Sequence, residues 1–160
     1  MVKKLTILEA LEPFLSKPEE KLHLASLSKE LKEPHPTISL WLNSLEKQGV
    51  LKKSHQGRLT LYHLNIENPL IIDYVLMAEK SKLVRKCEKW LVLGELVSFM
   101  QRNLSENSKA LVFGSAVDLF DAANDVDILI AGKDNLKSLT SFAEKLGKEA
   151  HIIKVKSLSK

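Results

Sequence analysis

Apolar residues recur at intervals of three and four along the first fifty positions. Leu5, Leu8, Leu11 and Leu15 form one set, Leu24, Leu27 and Leu31 a second, and Ile38, Leu42 and Leu45 a third. Side chains spaced this way share one face of a helix, so the pattern predicts three amphipathic helices. Lys17-Pro18 ends the first, and the second stops near Glu33-Pro34. The third starts at His35-Pro36-Thr37, with proline in its first turn, and ends at Gly49. Val50 to Lys53 and Leu59 to Leu64 then read as short strands flanking SHQG, where Gly57 is placed to close a hairpin.

A helical tone follows. Glu67-Asn68-Pro69 is a helix-start signal, and LIIDYVLMAEKSKLVRKCEKWLVLGELVSFMQRNL continues to about Leu104. The polar AEKSK at 78–82 and Gly94 are the expected bends, and Trp90, Leu93, Val97 and Met100 make an apolar stripe. Next come a strand ALVFG, a loop or short helical turn AVDLFDAAN, a strand DVDILIAG, a helix stopped by Gly147, and a strand HIIKVK. The expected organisation is a domain at 1–65, a helical linker at 66–82 and a second domain at 83–160.

Composition narrows the classes. The chain has 160 residues, 44% of them hydrophobic, with a formal net charge of +4, which fits a globular protein of one or two small domains. The modest basic excess favours polyanionic partners only weakly, and a solvated lysine-rich surface is the more common explanation of such an excess. Cys87 is the sole cysteine, which excludes a disulfide framework and a cysteine zinc site. Glu9 and Glu12 interrupt the apolar run a signal peptide needs, and WLVLGELVSFM carries Glu95 and is too short to span a bilayer. The expectation is a reduced cytoplasmic protein without membrane contact.

Residues 22–64, and above all HPTISLWLNSLEKQGVLKK with RLTLYHLN, resemble the winged helix-turn-helix transcription regulators of bacteria and archaea. In that family the third helix enters the major groove of DNA and the hairpin touches its backbone. Carried over by position, Thr37, Ser39, Leu40 and Asn43 would face the groove, and Lys52, Lys53, His55 and Arg58 would contact phosphates. Leu40 and Trp41 stand where base-reading helices often carry polar or basic groups. A winged helix reused for protein or dimer contacts therefore stays open beside DNA binding.

The chemistry concentrates later. Val126, Ile128 and Ile130 alternate with Asp125, Asp127 and Leu129, so both carboxylates point to one face of a strand. Acids at the end of an apolar strand are costly unless paired. A divalent cation, Mg²⁺ by its preference for oxygen ligands, would pair them. Gly114 allows close approach of a phosphate and Ser115 adds a hydroxyl. The alternative is structural: Asp125 capping a turn and Asp127 held by hydrogen bonds.

Phe113-Gly114-Ser115, a nine-residue gap and Asp125-Val126-Asp127-Ile128 resemble the polymerase-β-like nucleotidyltransferase superfamily in its minimal branch, over about Leu83 to Lys156. The resemblance implies Mg²⁺-dependent transfer of a nucleoside monophosphate from a nucleoside triphosphate (NTP) to a hydroxyl. Gly114 and Ser115 would bind the triphosphate, and Asp125 and Asp127 the metal as catalytic residues. Family members carry a third carboxylate on a later strand, whereas AHIIKVK holds none; Glu149 precedes it and His151 is the nearest other polar candidate. The arginine usual after Gly-Ser is replaced by Ala116-Val117-Asp118-Leu119-Phe120. No GxxxxGK, GxSxG or HExxH motif occurs.

The expected fold is α+β, a winged helix-turn-helix followed by a small α/β nucleotidyltransferase-like domain with a mixed sheet. The leading expectation is a nucleotidyltransferase guided by a winged helix. The alternative is a winged-helix transcription regulator whose second domain lacks turnover and serves ligand sensing or dimerisation. A homodimer covering the open sheet edge is expected, and the resemblance adds a small helical protein as a possible partner.

Overall fold

The computed structural model describes residues 6–134 and 136–156. The chain divides into two compact units after Val84.

The first unit begins with a 3₁₀ turn, Glu9–Leu11, running into helix α1, Glu12–Ser16. Thr6 and Glu9 start it reciprocally: Thr6 N–H donates to Glu9 Oε2 at 2.7 Å, and Glu9 N–H donates to Thr6 Oγ1 at 3.2 Å. This capping box satisfies two helix-end donors and explains how Glu9 is buried in an apolar setting. A two-residue strand β1, Leu22–His23, leads into α2, Leu24–Leu31, whose first turn is capped by the His23 ring accepting from Ala25 N–H. Lys32 takes a left-handed φ of 56° and ends it.

Helix α3, His35–Lys47, follows, with proline in its first turn. Gly49, at φ 70°, closes it, and Val50 N–H reaches back to Leu45 O at 2.9 Å, the six-to-one bond of a Schellman motif. Strands β2, Leu51–Gln56, and β3, Leu59–Leu64, form a hairpin in which β3 is central, giving the order β1-β3-β2, all antiparallel. The turn is Gly57-Arg58 alone, so Ser54, His55 and Gln56 belong to the strand rather than to a loop. Gly57, at φ 59° in the first turn position, matches a twist-compatible two-residue hairpin. Leu11, Phe14, Leu27, Ile38, Leu42 and Tyr62 meet in one core. Helix, strand, two helices and a β-hairpin make the winged-helix arrangement expected from the sequence.

Helix α4, Ile71–Lys89, departs from expectation twice. Residues 66–82 do not form a separate linker, because Ile71 and Ala78 are buried in the first unit's core. AEKSK carries no bend, since Ala78 anchors it and its lysines and glutamate are good helix formers. The break comes at Trp90, whose extended backbone (φ −122°, ψ 95°) interrupts the helix while its side chain is buried in the second unit's core. Gly94 also stays helical: it lies within α5, Leu91–Asn103, and the place a Cβ would occupy is 3.5 Å from Cys87 O.

The second unit adds β4, Lys109–Phe113, a 3₁₀ turn Ser115–Val117, β5, Asp125–Ala131, α6, Lys137–Lys145, and β6, Glu149–Val155. The order is β4-β5-β6, with β4 antiparallel and β6 parallel to β5, a mixed sheet. Val126, Ile128 and Ile130 are fully buried and share a core with Leu93, Leu96 and Met100 of α5 and Leu139 of α6. Phe99 and Phe142 stack with ring centres 4.1 Å apart, a contact worth about 0.5–1.5 kcal/mol beyond its area. Among the described residues no helix is long and apolar enough to cross a membrane.

Candidate functional site

The alternation of β5 sends Val126, Ile128 and Ile130 into the core, so Asp125 and Asp127 stand on the opposite face of the sheet. Strand register then decides their neighbours. Asp127 lies opposite Phe113 of β4 on one side and His151 of β6 on the other, and Asp125 lies opposite Glu149. Glu149 is thus the first residue of β6 and not a residue before it, which corrects the expectation that this strand lacks a carboxylate. The reason is tertiary: parallel pairing with Asp125 extends the strand two residues further than its apolar run.

His151 is the hub of the cluster. Its Nδ1 lies 3.5 Å from Asp125 Oδ2 and 3.5 Å from Asp127 Oδ1, and its Nε2 lies 3.4 Å from Glu149 Oε1.

Gly114 faces Asp127 across the strand pair. It sits at φ 76°, ψ −161°, a region essentially confined to glycine. A Cβ there would lie 2.1 Å from Asp127 Oδ2. The expected glycine corner and acid pair are therefore brought together, and the exposed Ser115 opens the 3₁₀ turn beside them, whose Ala116 is buried. Two carboxylates and a ring nitrogen, with ligand atoms within 4.8 Å of one another, fit a divalent cation. Asp125 and Asp127 would hold it, and it would supply Lewis-acid polarisation of a phosphate oxygen.

Two lysines that the motif reading did not single out shape the loop after Gly114. Lys86 donates to Val117 O and lies 3.2 Å from Asp118 Oδ1. Lys148 donates to Phe120 O at 2.8 Å, to Asp121 O at 3.4 Å and to Ala123 O. Both cations hold backbone carbonyls of the loop, a role that no local sequence signal announces.

In the first unit, the candidate DNA-facing residues divide. Asn43 donates to Ser39 Oγ at 3.4 Å and accepts from the Tyr62 hydroxyl at 3.5 Å, so these α3 side chains are tied to each other and to the core. Thr37 is half-buried, and Leu40 is 72% exposed, the most open apolar residue of the helix. Lys52 pairs with Glu67 at 2.6 Å, which lowers the Glu67 pKa through the hydrogen bond and the charge. Lys53, His55 and Arg58 are exposed on the hairpin, Lys53 lying 5.8 Å from the Tyr62 ring centre. Residues 50–65 contain no aspartate or glutamate.

No family model matches the chain, and no curated protein matches its sequence. Among solved structures, a possible transcriptional regulator from Methanosarcina mazei is similar at 23% identity and a TM-score of 0.39, over 54% of this chain and 79% of that one. MepR, a transcription regulator of the Staphylococcus aureus multidrug efflux pump MepA, is similar at 18% identity and a TM-score of 0.43, over 62% of this chain and 64% of that one. At these scores the likenesses decide nothing about this chain.

Proposed function

We propose that this chain is a DNA-binding regulator of the winged-helix type whose second unit binds a cation and a phosphate-bearing ligand without turning it over. The observation that carries the first half is the wing. It projects the cations Lys53 and Arg58, with His55 between them, from a hairpin that carries no acid of its own; the nearby Lys52 is already paired with Glu67. The α3 face offers Leu40 at its most open point and engages Asn43 internally. That favours phosphate contact and apolar contact with thymine methyls over hydrogen-bonded base reading, hence modest sequence selectivity.

The test is fluorescence anisotropy of the full chain on duplex DNA across a salt series. Each phosphate contact contributes a slope of about −0.9 in log affinity against log salt. Lys53→Ala with Arg58→Ala should weaken binding and flatten the slope by about 2. Undetectable binding at low salt, or a double variant indistinguishable from the parent, would overturn the reading and leave the wing as a protein-contact surface.

Ligand binding rather than turnover is favoured by how the cations near Gly114 are used. Lys86 and Lys148 are committed to loop carbonyls, the loop carries Asp118 and Asp121, and the position opposite Asp127 holds the imidazole of His151. In this reading Asp125 and Asp127 hold a divalent cation, and Gly114 and Ser115 contact the phosphates of an NTP or similar anion. One observation favours nucleotidyl transfer as a second reading: Glu149 shares the acid face and supplies a third carboxylate. Release of pyrophosphate from NTP with cation, abolished by Asp125→Asn with Asp127→Asn, would select that second reading.

A further inference from the structure

The cluster on β5 and β6 is a mixed nitrogen and oxygen donor set, and the mixture has a consequence for which ion it accepts. We propose that Asp125, Asp127 and His151 together bind a borderline transition cation of the Zn²⁺ or Co²⁺ class in preference to Mg²⁺, with Glu149 positioning the imidazole. This rests on the reading of Asp125 and Asp127 as cation ligands.

Geometry comes first. His151 Nδ1 faces both acids at 3.5 Å, and one ligand atom from each residue lies within 4.8 Å of the others. A small inward movement of three side chains closes such a set around one ion. All three stand on adjacent, register-locked strands, so the backbone needs no rearrangement.

Donor chemistry follows. Mg²⁺ prefers an all-oxygen octahedral shell and keeps most of its water. Imidazole suits Zn²⁺ and its neighbours in the first transition row. An imidazole directed between two carboxylates therefore adds little for Mg²⁺ and much for Zn²⁺ or Co²⁺.

Glu149 supplies the supporting contact. Its Oε1 lies 3.4 Å from His151 Nε2, the ring nitrogen facing away from the acid pair. A carboxylate behind a ligating histidine fixes the tautomer and raises the basicity of the metal-facing nitrogen, and loss of such a partner costs about 10–100-fold in metal affinity. With Asp125 39%, Asp127 30% and His151 52% exposed, the remaining coordination positions open to solvent or to a ligand oxygen.

The experiment titrates full-length protein with Zn²⁺, Co²⁺ and Mg²⁺ separately, by calorimetry and by the visible absorption of Co²⁺. Parent protein should bind Zn²⁺ at least about 100-fold more tightly than Mg²⁺. His151→Ala should lower Zn²⁺ affinity by at least about tenfold, alter the Co²⁺ spectrum and leave Mg²⁺ binding unchanged; Glu149→Gln should lower Zn²⁺ affinity by about tenfold. His151→Asp, which rebuilds an all-oxygen set, should narrow the Zn²⁺ preference. If Asp125→Asn with Asp127→Asn abolishes cation binding but His151→Ala leaves Zn²⁺ affinity and the Co²⁺ spectrum unchanged, the inference falls while the acid-pair reading stands. If no divalent cation binds the parent, both fall.

Discussion

Replacing Gly114 with alanine isolates the contact between the glycine corner and the acid pair. Two terms oppose the substitution. The backbone at φ 76°, ψ −161° lies where side-chain-bearing residues are strained by about 1–3 kcal/mol. The new Cβ would also meet Asp127 Oδ2 at 2.1 Å and its Cγ at 3.2 Å, far inside ordinary contact for the first. Asp127 cannot retreat along the backbone, because its strand is paired with Phe113 on one side and His151 on the other. Relief comes from swinging the carboxylate off the corner or from opening the corner itself. A stiffer unfolded chain offsets about 0.4–1 kcal/mol of this cost, leaving a net loss of about 1–2 kcal/mol in the second unit. Trp90 is buried in that unit, so a Trp41→Phe background leaves it as a reporter during denaturant unfolding. The same protein, titrated with Zn²⁺ under native conditions, should bind at least about tenfold more weakly, comparable to losing a supporting partner of a metal ligand. Unfolding within about 0.5 kcal/mol of the parent, together with unchanged cation affinity, would refute the claim that glycine at this corner keeps Asp127 in place.

Lys148→Met removes the ammonium that gathers Phe120, Asp121 and Ala123 carbonyls; a loss of about 1–2 kcal/mol is expected because partly exposed carbonyls regain water, and limited proteolysis should cut the 115–124 loop faster, with equal protection in both proteins counting against the role. His63 has its pKa lowered from 6.5 by burial first and then by the charges of Lys21 and Lys52. The unfolded chain therefore takes up the proton more readily than the folded one, and this part of the stability is lost as pH falls from 6.5 through the folded value. Thermal unfolding between about pH 7.5 and 5.5 should show that loss for the first unit, and His63→Gln should flatten it; an unchanged slope would refute the assignment.

Local signals carried most of the first unit into view. Leucine spacing, the Pro36 helix start and the Gly49 stop are properties of adjacent residues, and α3 runs from His35 to Lys47 as they imply. Thr6 and Glu9 are also legible as a capping box, three residues apart before an apolar run, although the leucine pattern alone draws the eye past them. Strand β1 was not legible, since two residues have no periodicity and its pairing with Leu61 and Tyr62 is distant in the chain. The helix break failed differently. Polar AEKSK and Gly94 look like weak points, but the helix is interrupted at Trp90, whose backbone is extended and whose side chain is buried in the second core. At the site, Gly114, Asp125 and Asp127 were legible because their types and spacing are unusual in an apolar run. Glu149 and the lysine anchors were not, because strand register and loop carbonyl contacts are set only when the sheet closes.

That register ties two properties of the second unit together. The rung that sets Asp127 between Phe113 and His151 is followed, two residues along, by one that sets Leu129 between Leu111 and Ile153. Side chains two apart share a face, so the acid cluster and an apolar row lie on the same side of the sheet. Leu111 is 58% and Ile153 51% exposed, while Val126 and Ile128 beneath them are fully buried. A slip of β6 by one residue would turn His151 and Ile153 inward and bring Ala150 and Ile152 out, removing the imidazole from the acids and an apolar group from the row at once. The acid and imidazole cluster and the adjoining apolar surface therefore stand or fall with a single pairing choice.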